Sequence, residues 1–125
     1  MTRSLLSMML APAIAFAVPT AAQGPAPVTV ALSNFHIAPA TIRLAAGRPV
    51  RLVFTNASGS SHNFTAPEFF AHATVVTGPV EHGEVELAGH TSASVTLTPT
   101  RGTYKAKCAH FGHKMMGMSA TIIVD

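Results

Sequence analysis

The sequence predicts an all-β protein, an antiparallel sandwich or barrel with one short helical insert. Three observations predict it. Seven short runs alternate apolar and polar residues at period two. Turn signals separate them at Asn56–Gly59, Gly78–Pro79, Gly89 and Pro99–Gly102. One stretch alone, "APEFFAHA" at 66–73, carries a helix start, with Pro67 suited to the first helical position.

Taken in order, residues 1–22 come first and stand apart. They hold one positive charge at Arg3 and an apolar run from Leu5 to Val18. They close in small residues, with Thr20 and Ala22 three and one positions before a cut ahead of Gln23. This is the pattern of a secretory signal peptide. A spanning helix needs about 20 apolar residues; this run is shorter and is interrupted by Pro12 and Pro19. The expectation is a periplasmic or secreted protein with no stable membrane insertion after cleavage. Residues 23–27 read as a Pro/Gly/Ala linker, and 28–125 as one domain.

Within that domain, the first run (28–35) turns Val28, Val30 and Leu32 to one face. The second (40–47) does so with Ile42 and Leu44, then turns at Gly47. The third (48–56) offers Val50, Leu52 and Phe54. The helical stretch follows in a long insert, where Phe69 and Phe70 should pin it to the core. Val85 and Leu87 mark the fourth run, Val95 and Leu97 the fifth. Tyr104, Ala106 and Cys108 mark the sixth, and "SATIIVD" closes the chain. His36, His72, His82 and His90, on turns and strand ends, read as ordinary surface histidines.

The chain has 125 residues, room for one small domain. After loss of the leader, seven Lys/Arg remain against five Asp/Glu, a net charge near +2. No basic run exceeds "YKAKC", so nucleic acid is not indicated as a partner. A domain this small buries roughly two-thirds of its unfolded surface. It does so without an internal disulfide, because Cys108 is its one cysteine. A lone thiol in an exported protein is a liability unless something occupies it. Cys108 should therefore have a partner that is not cysteine.

The stretch "CAHFGHKMMGM", residues 108–118, supplies the candidates. His113 comes five residues after Cys108, and Met118 five after that. A thiolate, an imidazole and a thioether on one loop form a soft donor set. Such a set favours copper that passes between Cu(I) and Cu(II); zinc prefers carboxylate to thioether. One place remains for an imidazole, and His62, in the loop just past the turn that ends the third run, is the best supplier. His110 competes on direction alone, since period two points it the same way as Cys108. The longer span to His113, with Gly112 inside it, lets the loop wrap a metal. Met118 follows Gly117 and begins an inward face continued by Ala120, Ile122 and Val124. Met116, two residues earlier, is the alternative axial donor, and Met115 should face elsewhere.

"SNFHIAPATIRLAAGRPVRLVFTNASGSSHNF" and "GTYKAKCAHFGHKMMGMSATIIV" together resemble the cupredoxin family, small type 1 blue copper proteins of the plastocyanin and azurin kind. The resemblance spans nearly the whole mature chain. It implies a Greek-key β-sandwich holding one copper ion, Cu(I)/Cu(II), through His62, Cys108 and His113 with Met118 as a weak axial ligand. It also implies that Asn63 ties the two ligand loops together. One-electron transfer to a redox partner such as a cytochrome follows, by a monomer that is not an enzyme. The chain has no second cysteine for a dinuclear centre and no second domain for further copper sites. The alternative is a copper chaperone or resistance protein. His110, Met115 and Met116 would then form a soft path toward a copper-accepting protein.

Overall fold

The computed structural model describes residues 8–17, 24–110 and 117–125. Residues 8–17 form no helix or strand and are exposed. The cut expected before Gln23 lies outside the described residues.

Alternation of apolar and polar side chains builds most of the strands. β1 (Pro27–Ser33), β3 (Thr41–Leu44), β4 (Val50–Asn56), β7 (Glu84–Leu87), β8 (Ser92–Thr98), β9 (Gly102–Lys107) and β10 (Ser119–Val124) each fall in one of the seven runs. β1 begins at Pro27, one residue inside the stretch read as linker. Three strands carry no alternating signature: β2 (His36–Ala38), β5 (His62–Thr65) and β6 (Thr74–Thr77). β2 has only three residues, β6 is exposed throughout, and β5 buries His62, Asn63 and Phe64 in succession. The helical insert is α1 (Pro67–His72), with Pro67 in its first turn.

Two five-stranded sheets face each other, in the orders β2-β1-β4-β8-β6 and β3-β10-β9-β5-β7. The expectation of antiparallel pairing is corrected at two places. β1 runs parallel to β4, with Val30 opposite Phe54, and β10 runs parallel to β3, with Ile122 opposite Ile42. The reason lies in the connections. Only β1–β2 and β9–β10 are both successive and paired; at the other connections the chain changes sheet. Strands that meet after such a crossing are not bound to the antiparallel direction that a hairpin imposes.

Between the sheets the inward residues close one core. Val30, Leu52, Phe54 and Val95 come from the first sheet, and Phe64, Val85 and Ile122 from the second. An aromatic chain fastens α1 to it. Phe54 and Phe64 have ring centroids 4.8 Å apart, Phe64 and Phe70 6.2 Å, and Phe69 and Tyr104 5.6 Å. Such pairs contribute about 0.5–1.5 kcal/mol each beyond the area they bury. Among the described residues, no helix is long and apolar enough to cross a membrane.

Candidate metal centre

His62 is not in the loop where the sequence reading puts it; it opens β5. It stands opposite Leu87 of β7, as Phe64 stands opposite Val85. Cross-strand partners share a face of the sheet. Leu87, Phe64 and Val85 are all buried, so the His62 ring enters the inward face, where it is 0% exposed.

Cys108 and Met118 reach that face from the next two strands. The inward series Tyr104, Ala106 leads to Cys108, and the series Val124, Ile122, Ala120 leads back to Met118. Ser119 pairs with Lys107, and one rung further the Cys108 N–H donates to the Met118 carbonyl at 3.1 Å. The two sulfur residues thus face each other at the loop end of the β9–β10 hairpin, both 0% exposed. Gly117, at φ +74°, makes the left-handed turn that returns the chain to this rung. β5 pairs with β9 through Thr65 and Lys107. The three donors therefore stand on adjacent strands at one end of the second sheet. His113, Met115 and Met116 lie outside the described residues, between these two sulfur positions in the chain.

Hydrogen bonds lock the strands that carry the donors. Asn63 faces away from His62 and is nevertheless buried. Its Oδ1 accepts from the Ala109 N–H at 2.7 Å and from the Thr65 hydroxyl at 2.9 Å. Its own backbone N–H points at Cys108 Sγ, 3.5 Å away. One residue thus ties β5 to the start of the ligand loop and sets an N–H dipole against the sulfur, drawing electron density from it. Asn56, at the end of β4, organises the chain leading into His62. Its Nδ2 donates to the carbonyls of Ser60 (2.8 Å) and Ala88 (3.1 Å), while its Oδ1 accepts from the Ser58 N–H (3.1 Å). There the two loops nearly touch: a Cβ on Gly89 would come within 2.4 Å of the Gly59 carbonyl oxygen. His62 Nε2 lies 3.3 Å from Asn34 Oδ1, in the turn between β1 and β2.

His110 departs from the direction that period two assigned it. β9 ends at Lys107, and His110 Nε2 sits 2.7 Å from Glu86 Oε1. Glu86 stands opposite Asn63, on the outer side of β7. The ring therefore lies on the opposite side of the sheet from Cys108. His36, His72, His82 and His90 are exposed, as expected.

Asn34 and Asn56 were missed by the sequence reading as parts of the site. Asn56 had a usable signal, because Asn with Ser two residues on favours a turn closed by the asparagine side chain. Nothing local marks Asn34, which meets His62 only through the tertiary fold.

The donors suit copper. One imidazole and two sulfurs, sealed from water by the core, make a soft set with no carboxylate in it. Among the described residues, no three His, Cys, Asp or Glu side chains gather to form a harder metal site. A family model described as a cupredoxin-like domain matches residues 6–124. The chain belongs to the cupredoxin-like family. Its solved neighbours include auracyanin B, 28% identical over 82% of this chain and 91% of that one, with a TM-score of 0.61. At the level of fold alone, this cupredoxin also resembles the dithionite-reduced auracyanin of the photosynthetic bacterium Roseiflexus castenholzii. That match has 18% identity, 82% and 98% coverage and a TM-score of 0.61. Auracyanin A, a "blue" copper protein of the green thermophilic photosynthetic bacterium Chloroflexus aurantiacus, is 20% identical over 79% and 99% of the two chains, with a TM-score of 0.55. No curated protein matches this cupredoxin sequence significantly.

Proposed function

We propose that the protein binds one copper ion through His62, Cys108, His113 and Met118 and carries single electrons between partner proteins, without enzymatic activity. The observation that carries this reading is the meeting of His62, Cys108 and Met118, all fully buried, on three adjacent strand ends. Copper bound there supplies the Cu(II)/Cu(I) couple. The chain's part is to keep its donors still while the charge changes by one. The Cys108–Met118 rung and the Asn63–Ala109 bond do this, because neither sulfur position can shift without breaking a ladder or a part-buried hydrogen bond. Membership of the cupredoxin-like family and the likeness to auracyanin B support the same reading.

The copper-handling alternative draws on His110, Met115 and Met116 as a soft path; His110 pairs with Glu86, and the two methionines lie outside the described residues. Stopped-flow mixing of the Cu(I) protein with an oxidised c-type cytochrome, alongside copper loss to a strong Cu(I) chelator, separates the two. Fast electron exchange with slow copper loss supports the carrier. Slow exchange with ready copper loss supports copper handling.

Export to the periplasm or beyond belongs to the same proposal. Cleavage before Gln23 would leave residues 23–125 as a monomeric domain with its linker. Intact mass of the protein recovered from cells should lack the first 22 residues. Recovery of the full-length chain from membranes would count against export.

A further inference from the structure

We infer that Thr65 is a positioning residue for Cys108: its hydroxyl fixes the Asn63 side chain on the Ala109 N–H, and Glu84 competes for that hydroxyl. The inference rests on the copper reading above, which makes Cys108 the thiolate donor. The Ala109 N–H can only donate, so the Asn63 atom that it meets at 2.7 Å is Oδ1. That oxygen has room for a second donor, and the Thr65 hydroxyl fills it at 2.9 Å. The last torsion of an asparagine side chain is soft. Held by one bond, the amide can swing about it; held by two on the same oxygen, it is pinned. Ala109 follows Cys108 in the chain, so a slip at this tie moves the sulfur-bearing residue directly.

The strand itself does not call for a hydroxyl here. Thr65 closes β5, half-buried, where valine would serve a strand as well. Its neighbours make the hydroxyl matter. Thr65 stands opposite Glu84 of β7 on one side and Lys107 of β9 on the other. Glu84 Oε2 lies 3.3 Å from Thr65 Oγ1. A carboxylate can only accept, and a hydroxyl has one proton to give. The two acceptors therefore share it. Distance favours Asn63 Oδ1, at 2.9 Å, and charge favours Glu84. Whatever share Glu84 takes loosens the hold on the ligand loop. Glu84→Gln ends the contest, because the amide that replaces the carboxylate can donate to Thr65 Oγ1 and leave the hydroxyl proton to Asn63.

The test uses the full mature chain, with Thr65→Val, Thr65→Ser and Glu84→Gln beside the parent. Amide hydrogen exchange of Ala109 in the copper-free protein reports the tie, and the amides of β8 report global opening. Thr65→Val should speed Ala109 exchange about fivefold relative to β8, the effect of one lost hydrogen bond. Thr65→Ser keeps the hydroxyl and should restore the parent's rate to within about twofold. Glu84→Gln should slow Ala109 below the parent's rate. In the copper protein, Thr65→Val should displace the thiolate-to-copper band, and Thr65→Ser should return it. An Ala109 rate indifferent to Thr65→Val, a serine that fails to restore it, or a Glu84→Gln variant that moves it the same way as valine would overturn the inference. So would a band unmoved by Thr65→Val, which would leave Thr65 a purely structural residue. If the protein takes up no copper, the functional reading fails, while the Ala109 rates of the copper-free protein still decide whether Thr65 governs the tie.

Discussion

The two sheets are built on the same alternation, yet they end differently at the site. The first sheet ends there in turn residues that make hydrogen bonds, Asn34 after β1 and Asn56 at the end of β4. The second ends in the proposed metal donors, His62, Cys108 and Met118, all buried. Along their middles both are filled with aliphatic and aromatic side chains. The difference separates two kinds of work. Strand middles supply stability through burial, and strand ends supply chemistry through position. Substitutions should sort the same way.

The sharpest division is expected at Cys108. Cys108→Ser should remove the whole of any intense visible band of the copper protein, because thiolate-to-copper charge transfer requires the sulfur. Far-ultraviolet circular dichroism should keep its β signature, since a hydroxyl left in that position costs only about 1–3 kcal/mol. A band that survives unchanged would mean the strand ends do not hold the metal in this way.

Phe64 is the opposite case, a strand-middle ring packed on Phe54 and Phe70. Phe64→Ala should destabilise the copper-free protein by about 3–5 kcal/mol in urea. Whatever fraction stays folded should bind copper with the parent's spectrum. A changed spectrum in the folded fraction would show that core and site are not separable.

Asn63 tests the boundary between the two. Asn63→Ala strands the Ala109 N–H and loosens the start of the ligand loop. It should cost about 1–3 kcal/mol and shift the visible band, because the loop then no longer holds Cys108 rigidly. Stability loss with an unmoved band would make Asn63 a purely structural residue.

The smallest effect is expected at the axial position. Met118→Leu should keep the colour and raise the potential, since an axial thioether is a weak bond that mainly tunes the couple. Met116→Leu should change little. If the potential responds to Met116 and not to Met118, the axial assignment passes to Met116.

How far the sequence could be read follows from the same comparison. β4, β8 and β10 were legible because each has one dry face and one wetter one, which writes alternation into Val50/Leu52/Phe54 or Ala120/Ile122/Val124. β5 was not, because Asn63 on its outer side is buried beneath the start of the ligand loop. β6 was not, because all four of its residues are exposed. Parallel pairing of β1 with β4 depends on crossings between sheets that leave no local mark. At the site, Cys108 and Met118 could be placed because they extend the alternation of their strands by one step. His62 could be named as a candidate donor but not assigned to a strand. His110 was misdirected because the strand ends before it, which frees it to reach Glu86.

The central claim is that His62, Cys108 and Met118, with His113, form a single thiolate-bearing copper site. Titrating the purified mature protein with Cu(II) while recording the visible spectrum tests it most directly. An intense thiolate-to-copper band should grow to a sharp end point at one copper per chain and bleach reversibly on reduction. Copper uptake with only the weak absorption of nitrogen and oxygen ligands, or an end point above one copper per chain, would contradict it.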